Sequence, residues 1–133
     1  MEMNLILPGI MGTMGLNFFY LYSRKKPWLT NRLRWHITGG FGFIGLWGCI
    51  LAPEIASLYW YLITPLIFTI ADRLFRYISQ QTYDRDFYLW LRGSHEIDDS
   101  FFGKNPHVRP MDQVFSIGLL LILVLLPILG NLL

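Results

Sequence analysis

The stretch Gly93-Ser94-His95-Glu96-Ile97-Asp98-Asp99-Ser100 is where this sequence comes nearest to chemistry. It places one imidazole and three carboxylates between positions 95 and 99, and His107 follows. Imidazole and carboxylate groups are the usual donors to divalent metals. The candidate ligands are therefore His95, Glu96, Asp98, Asp99 and His107. Their spacing matches no metal signature. The His-Glu pair lacks the second histidine, four residues after the first, that a zinc-protease helix requires. Asp98, Asp99 and Ser100 serve better as helix caps or turn residues. No catalytic residue, metal or cofactor is expected on this reading. No Gly-x-Ser-x-Gly elbow, phosphate-binding glycine loop or set of histidine boxes occurs elsewhere.

The elements around this stretch are apolar blocks. Of the 133 residues, 53% are hydrophobic and 15% charged, against roughly a quarter charged in soluble domains. The blocks run over about 5–22, 35–52, 55–72 and 111–133. Each is near the length that crosses a ~30 Å hydrocarbon core as a helix. The fourth is the clearest: between Gln113 and Leu133 lie fifteen Leu, Ile, Val or Phe and no charge. On an insertion scale that is on the order of −4 to −9 kcal/mol. The first, with Pro8, Gly9, Gly12 and Gly15, is the weakest. Pro53-Glu54 turns the second block into the third as a helical hairpin. The expected fold is a single all-α integral membrane domain, 1–133, with four transmembrane helices, or three if the first block lies at the interface. Without a basic n-region or an Ala-x-Ala site, no cleavable signal peptide is expected.

All eleven Lys and Arg fall within Arg24–Arg34 and Arg73–Arg109. A nucleic-acid binder spreads basic residues over a folded surface or tail; these flank apolar blocks, so nucleic acid is not an expected partner. By the positive-inside rule, loops 23–34 and 73–110 are cytoplasmic and both termini lie on the other side of a plasma or inner membrane.

Two surfaces stand out for contact. On the second block, Thr38, Gly42, Gly45, Cys49 and Ala52 fall within about 80° of one another at 100° per residue. Small side chains let helix backbones approach in lipid. The expected partner is the first block, where Gly9 and Thr13 form a shorter small pair, or else a helix of another protein. In the second loop Asp72 can pair with Arg76 one turn on, and Ser79-Gln80-Gln81-Thr82 interrupts the helix. Tyr83, Phe87, Trp90 and Leu91 then mark one face of a short amphipathic helix, 83–92, at the membrane interface. That aromatic face could equally dock a protein.

The spans carry almost no ionisable groups, so a coupled pump is disfavoured. The function expected is that of a small non-catalytic accessory, structural or regulatory subunit. Its partners would be the bilayer and other membrane subunits, in a hetero- or homo-oligomer. The alternatives are a homo-oligomeric channel, holin-like pore or small transporter, and a membrane enzyme using the 95–99 cluster.

Overall fold

The structure, a computed structural model, describes residues 3–99 and 103–132. Ser100 and Leu133, named in the sequence reading, lie outside these residues. Among the described residues the chain is all-helical, with no strand. Its helices are α1 (Met3–Tyr22), α2 (Asn31–Leu51), α3 (Ala56–Tyr83) and α4 (Pro110–Leu129). Single 3-10 turns, Pro53–Ile55 and Gly130–Leu132, precede α3 and follow α4. Two stretches are long and apolar enough to cross a membrane: Pro53–Tyr83 and Pro110–Leu129.

The ends of the helices follow local chemistry. Thr30 caps α2, accepting the Leu33 N–H on its hydroxyl at 3.2 Å. This starts α2 four residues ahead of the apolar block, so Asn31–Arg34 belongs to a helix, not to a loop. Pro53 ends the α2 segment, since it cannot continue the ladder. α3 runs through Ser79–Thr82 to Tyr83, where an interruption was expected. Gln is a good helix former, and the Ser79 hydroxyl is satisfied by donating to the Arg85 carbonyl at 2.8 Å. The helix stops where Asp84 turns left-handed, at φ 53°, with its N–H on the Gln80 carbonyl.

Pro65 sits in the middle of α3 and leaves the Tyr61 carbonyl without its helical donor. The buried Thr64 hydroxyl donates to that carbonyl instead, at 3.3 Å. A proline is tolerated when a neighbouring hydroxyl re-satisfies the freed group in this way.

The chain forms two compact units, residues 1–70 with 122–133, and residues 71–121. In the first unit the buried face of α2 is Arg34, Thr38, Gly42, Gly45 and Gly48. Cys49 is half-buried, and Ala52 lies just past the helix end. The small residues press on α3, not on α1: Gly42 meets Leu66, Gly45 meets Ile63 and the Tyr59 backbone, and Gly48 meets the Tyr59 ring. Gly9 of α1 is also closed over by α3, through Tyr61. The hairpin geometry explains the difference. The short 52–55 connection forces α2 and α3 side by side, so α2 spends its glycines on the helix that follows. At the far end of α3's partner face, the Trp60 indole donates to the Leu126 carbonyl at 2.7 Å.

Gly45 is the point on this face where the close neighbour is backbone. A Cβ there would lie 2.8 Å from the Tyr59 carbonyl oxygen, which is backbone and cannot move aside cheaply. Gly45→Ala is therefore expected to destabilise the protein by about 1–3 kcal/mol. Gly40→Ala, where a Cβ meets nothing within 4 Å, should be neutral or stabilising by up to about 1 kcal/mol. Thermal unfolding of both variants in mild detergent checks this; equal effects would show that the glycine face is not a close contact.

Candidate functional site

The polar chemistry of the second unit centres on Asp112, in the first turn of α4. Pro110 opens the helix, a position where a missing N–H costs nothing. Asp112 reaches back to accept the Arg109 N–H at 2.7 Å, which satisfies a donor that the helix start leaves over. The same carboxylate accepts both terminal nitrogens of Arg85, at 3.3 and 2.9 Å. It also accepts the Tyr88 N–H at 3.2 Å. Asp112 is 1% exposed. Its carboxylate holds the Arg85 guanidinium above the usual arginine range through this charged hydrogen bond. The Arg85 guanidinium also lies over the Tyr88 ring, 4.8 Å from its centroid.

One turn further along α4, the Ser116 hydroxyl accepts the Trp90 N–H at 2.8 Å and donates to the Asp112 carbonyl at 2.7 Å. The Leu89 N–H between them goes to the Glu96 carboxylate, and the Leu89 carbonyl accepts the Ser94 hydroxyl at 2.8 Å. Three consecutive amides are thus held by side chains, so the backbone cannot make helical bonds there. Residues 84–92 accordingly contain no helix, which corrects the amphipathic helix read over 83–92.

The face read from Tyr83, Phe87, Trp90 and Leu91 dissolves with that helix. Phe87 and Leu89 are buried, at 0% and 1% exposed, while Trp90 is 39% exposed. Phe87 meets Phe115 edge-on at 5.3 Å, and Phe115 stacks on Phe75 at 5.0 Å. Leu91 is half-buried. Tyr83 closes α3 with the Arg109 guanidinium over its ring at 4.7 Å. The pairing of Asp72 with Arg76 is present, at 3.4 Å.

The five metal candidates are spread through the turns that follow. Glu96 holds Leu89. Asp99 accepts the Gly93 N–H at 2.6 Å, where Gly93 has the positive φ of 78° that a glycine takes most easily. The Asp98 N–H donates to the Asn105 side chain at 2.6 Å. His107 places Nε2 3.0 Å from the Glu96 carbonyl and its ring edge-on to Tyr88 at 4.6 Å. His95 is exposed, with φ 61°. Among the described residues, no three His, Cys, Asp or Glu side chains converge as metal ligands.

Neither Asp112 nor Ser116 stood out in the sequence. A lone Asp two residues after a Pro, at the mouth of the most apolar block, is the signal that could have found the first. In the first unit, the carboxamide of Asn17 is wholly buried and neither of its polar atoms is hydrogen-bonded.

Three variants test these arrangements. Asp112→Ala strands the Arg85 charge and two backbone donors, and should cost about 3 kcal/mol or more. Ser116→Ala should cost about 1–3 kcal/mol. In hydrogen exchange, Asp112→Ala should release the Tyr88 amide and Ser116→Ala the Trp90 amide; unchanged protection would show that residues 84–92 are held by packing alone. Asn17→Leu, which removes an unsatisfied buried amide, should raise the melting temperature in detergent.

Compared with known proteins, the chain matches no family model, and no curated protein and no solved structure matches it significantly.

Proposed function

We propose that this chain is a four-span membrane protein that acts without catalysis, as an accessory, structural or regulatory subunit held by contacts with other membrane proteins. The observation that carries the reading is an inverted distribution of side chains. Thr13, Asn17, Thr38, Thr64 and Thr69 are buried. Ile44, Trp47, Ile50 and Leu51 of α2 are each more than half exposed, and so are Val114, Leu121 and Leu125 of α4. Water does not tolerate continuous apolar stripes of this length on a small monomer; lipid or another protein does.

The topology rests on charge. The five basic residues of 24–34 and the six of 73–109 face one side, the cytoplasm, with both termini opposite. The non-catalytic role is supported by how the reactive groups are used. Glu96, Asp99, Asp112 and Ser116 are hydrogen-bonded to backbone amides, which leaves the apolar faces as the means of recognition.

Ile44→Arg and Leu121→Arg separate lipid from water as the surroundings of these faces. In a bilayer each should oppose insertion by about 2.5–3.5 kcal/mol and lower the carbonate-resistant membrane fraction. In water either would be neutral or would improve solubility. For the subunit role, the test is purification from native membranes in mild detergent. A stoichiometric membrane partner, recovered reciprocally through its own tag, is expected. A monodisperse protein alone, or ion flux by the pure protein in liposomes, would overturn it.

A further inference from the structure

The loop between α1 and α2 carries charge of one sign. The sequence has no Asp or Glu between Glu2 and Glu54, and Arg24, Lys25, Lys26, Arg32 and Arg34 all fall there. The fold sorts these cations. Arg24 and Arg34 are buried, and Arg34 donates to the Thr69 hydroxyl at 3.4 Å. Lys25, Lys26 and Arg32 are exposed, and so is Trp28, at 55%. We propose that Lys26, Trp28 and Arg32 form a surface that binds the headgroup phosphate of an anionic phospholipid in the bilayer around the spans. The proposal rests on the membrane reading above. It goes beyond the topological role of the same charges, because it concerns the folded protein and not its insertion.

Backbone bonds hold the loop in one shape. The Ser23 N–H donates to the Phe19 carbonyl at 3.0 Å, the Lys26 N–H to the Ser23 carbonyl at 3.0 Å, and the Leu29 N–H to the Lys26 carbonyl at 3.2 Å. Leu29 is buried, and Thr30 then caps α2. A backbone already ordered loses less entropy when a ligand binds.

An aromatic contact sets the depth. The Trp28 ring lies 5.6 Å from that of Phe19, which stands three residues before the last residue of α1. At 1.5 Å per residue, Phe19 is about 4.5 Å inside the helix end. With α1 as a span, the indole rests on the margin of the hydrocarbon, the depth tryptophan favours. Lys26 follows the end of α1, and Arg32 precedes the apolar part of α2, so both belong to the headgroup side.

Charge selects the occupant. Lys and Arg near the surface each draw an anionic lipid, and a guanidinium grips a phosphate through two parallel N–H donors. Arg32 also stands in the first turn of α2, where the helix dipole disfavours a cation. An anion beside it relieves that repulsion. A zwitterionic lipid brings its own ammonium against the same cations and is the poorer occupant.

The test is lipid retention by the full chain, purified in detergent and read by native mass spectrometry. The probes are equimolar phosphatidylglycerol and phosphatidylcholine. Phosphatidylglycerol should be preferred, and the preference should fall as salt rises, since exposed charges are screened. Lys26→Gln and Arg32→Gln should each weaken phosphatidylglycerol about fivefold and leave phosphatidylcholine unchanged. Trp28→Ala should weaken both lipids. Lys104→Gln, which removes an exposed charge from the other basic loop, should change neither. Unchanged melting temperatures verify that each variant is folded, and the salt series needs no variant. Equal retention of the two lipids overturns the proposal. So does an equal loss in Lys104→Gln and Lys26→Gln, which would show net charge acting and not this surface. If glycerol 3-phosphate displaces the lipid at equal concentration, the lipid assignment falls. A protein that resists carbonate extraction but shows no lipid preference would sink this inference and leave the membrane reading intact; a carbonate-soluble protein would sink both.

Discussion

The second unit depends on one carboxylate. Asp112 is nearly inaccessible to solvent, yet it receives a bidentate guanidinium and two backbone amides. A buried carboxylate is tolerable only when its lone pairs are filled, and here each donor does a second job. The Arg109 amide begins α4. The Arg85 guanidinium supplies the opposite charge. The Tyr88 amide fixes an irregular chain that has no ladder of its own. Ser116 repeats the last function one turn along the helix, for Trp90. The i, i+4 spacing of Asp112 and Ser116 spans about 6 Å, close to the rise of two extended residues. That match lets alternate amides, 88 and 90, dock on one helix face while Phe87 and Leu89 point inward.

A different economy governs the first unit. Three of its buried hydroxyls turn back on their own helix. Thr13 donates to the Gly9 carbonyl at 2.7 Å, Thr38 to the Arg34 carbonyl at 2.8 Å, and Thr64 to the carbonyl that Pro65 orphans. A threonine bonded back to its own helix presents little more than a methyl group to its neighbour. It therefore packs like a small apolar residue while filling a buried position. With Gly42, Gly45 and Gly48 against α3, the interior is built from small side chains. Helices that meet through small residues gain backbone contact, which replaces the hydrophobic force that is absent in lipid.

The four helices were legible because long apolar blocks bounded by Pro, Gly and charge have few other solutions. Details failed where the deciding partner is distant or where two periods coincide. Tyr83, Phe87, Trp90 and Leu91 satisfy a helical spacing, but Phe87 and Leu89 against Tyr88 and Trp90 satisfy an alternating one equally well. With every residue from 87 to 91 apolar or aromatic, periodicity could not choose. The choice is made by Asp112 and Ser116, more than twenty residues away. The partner of the α2 glycines was misread for a related reason. A small-residue stripe reveals that something comes close, not what, and the short turn after α2 outweighs the small pair on α1. The acidic cluster invited metal because ligands and turn-makers are the same residues. Only Gly93's positive φ and the amides held by Glu96 and Asp99 separate the two uses.

Catalysis needs groups whose bonding capacity is left unspent until substrate arrives. In the second unit the carboxylates that could work are already occupied in closing turns and holding an extended segment. Freeing Asp112 or Glu96 for chemistry would undo the fold around it. The exposed apolar faces of the helices take no part in that bonding.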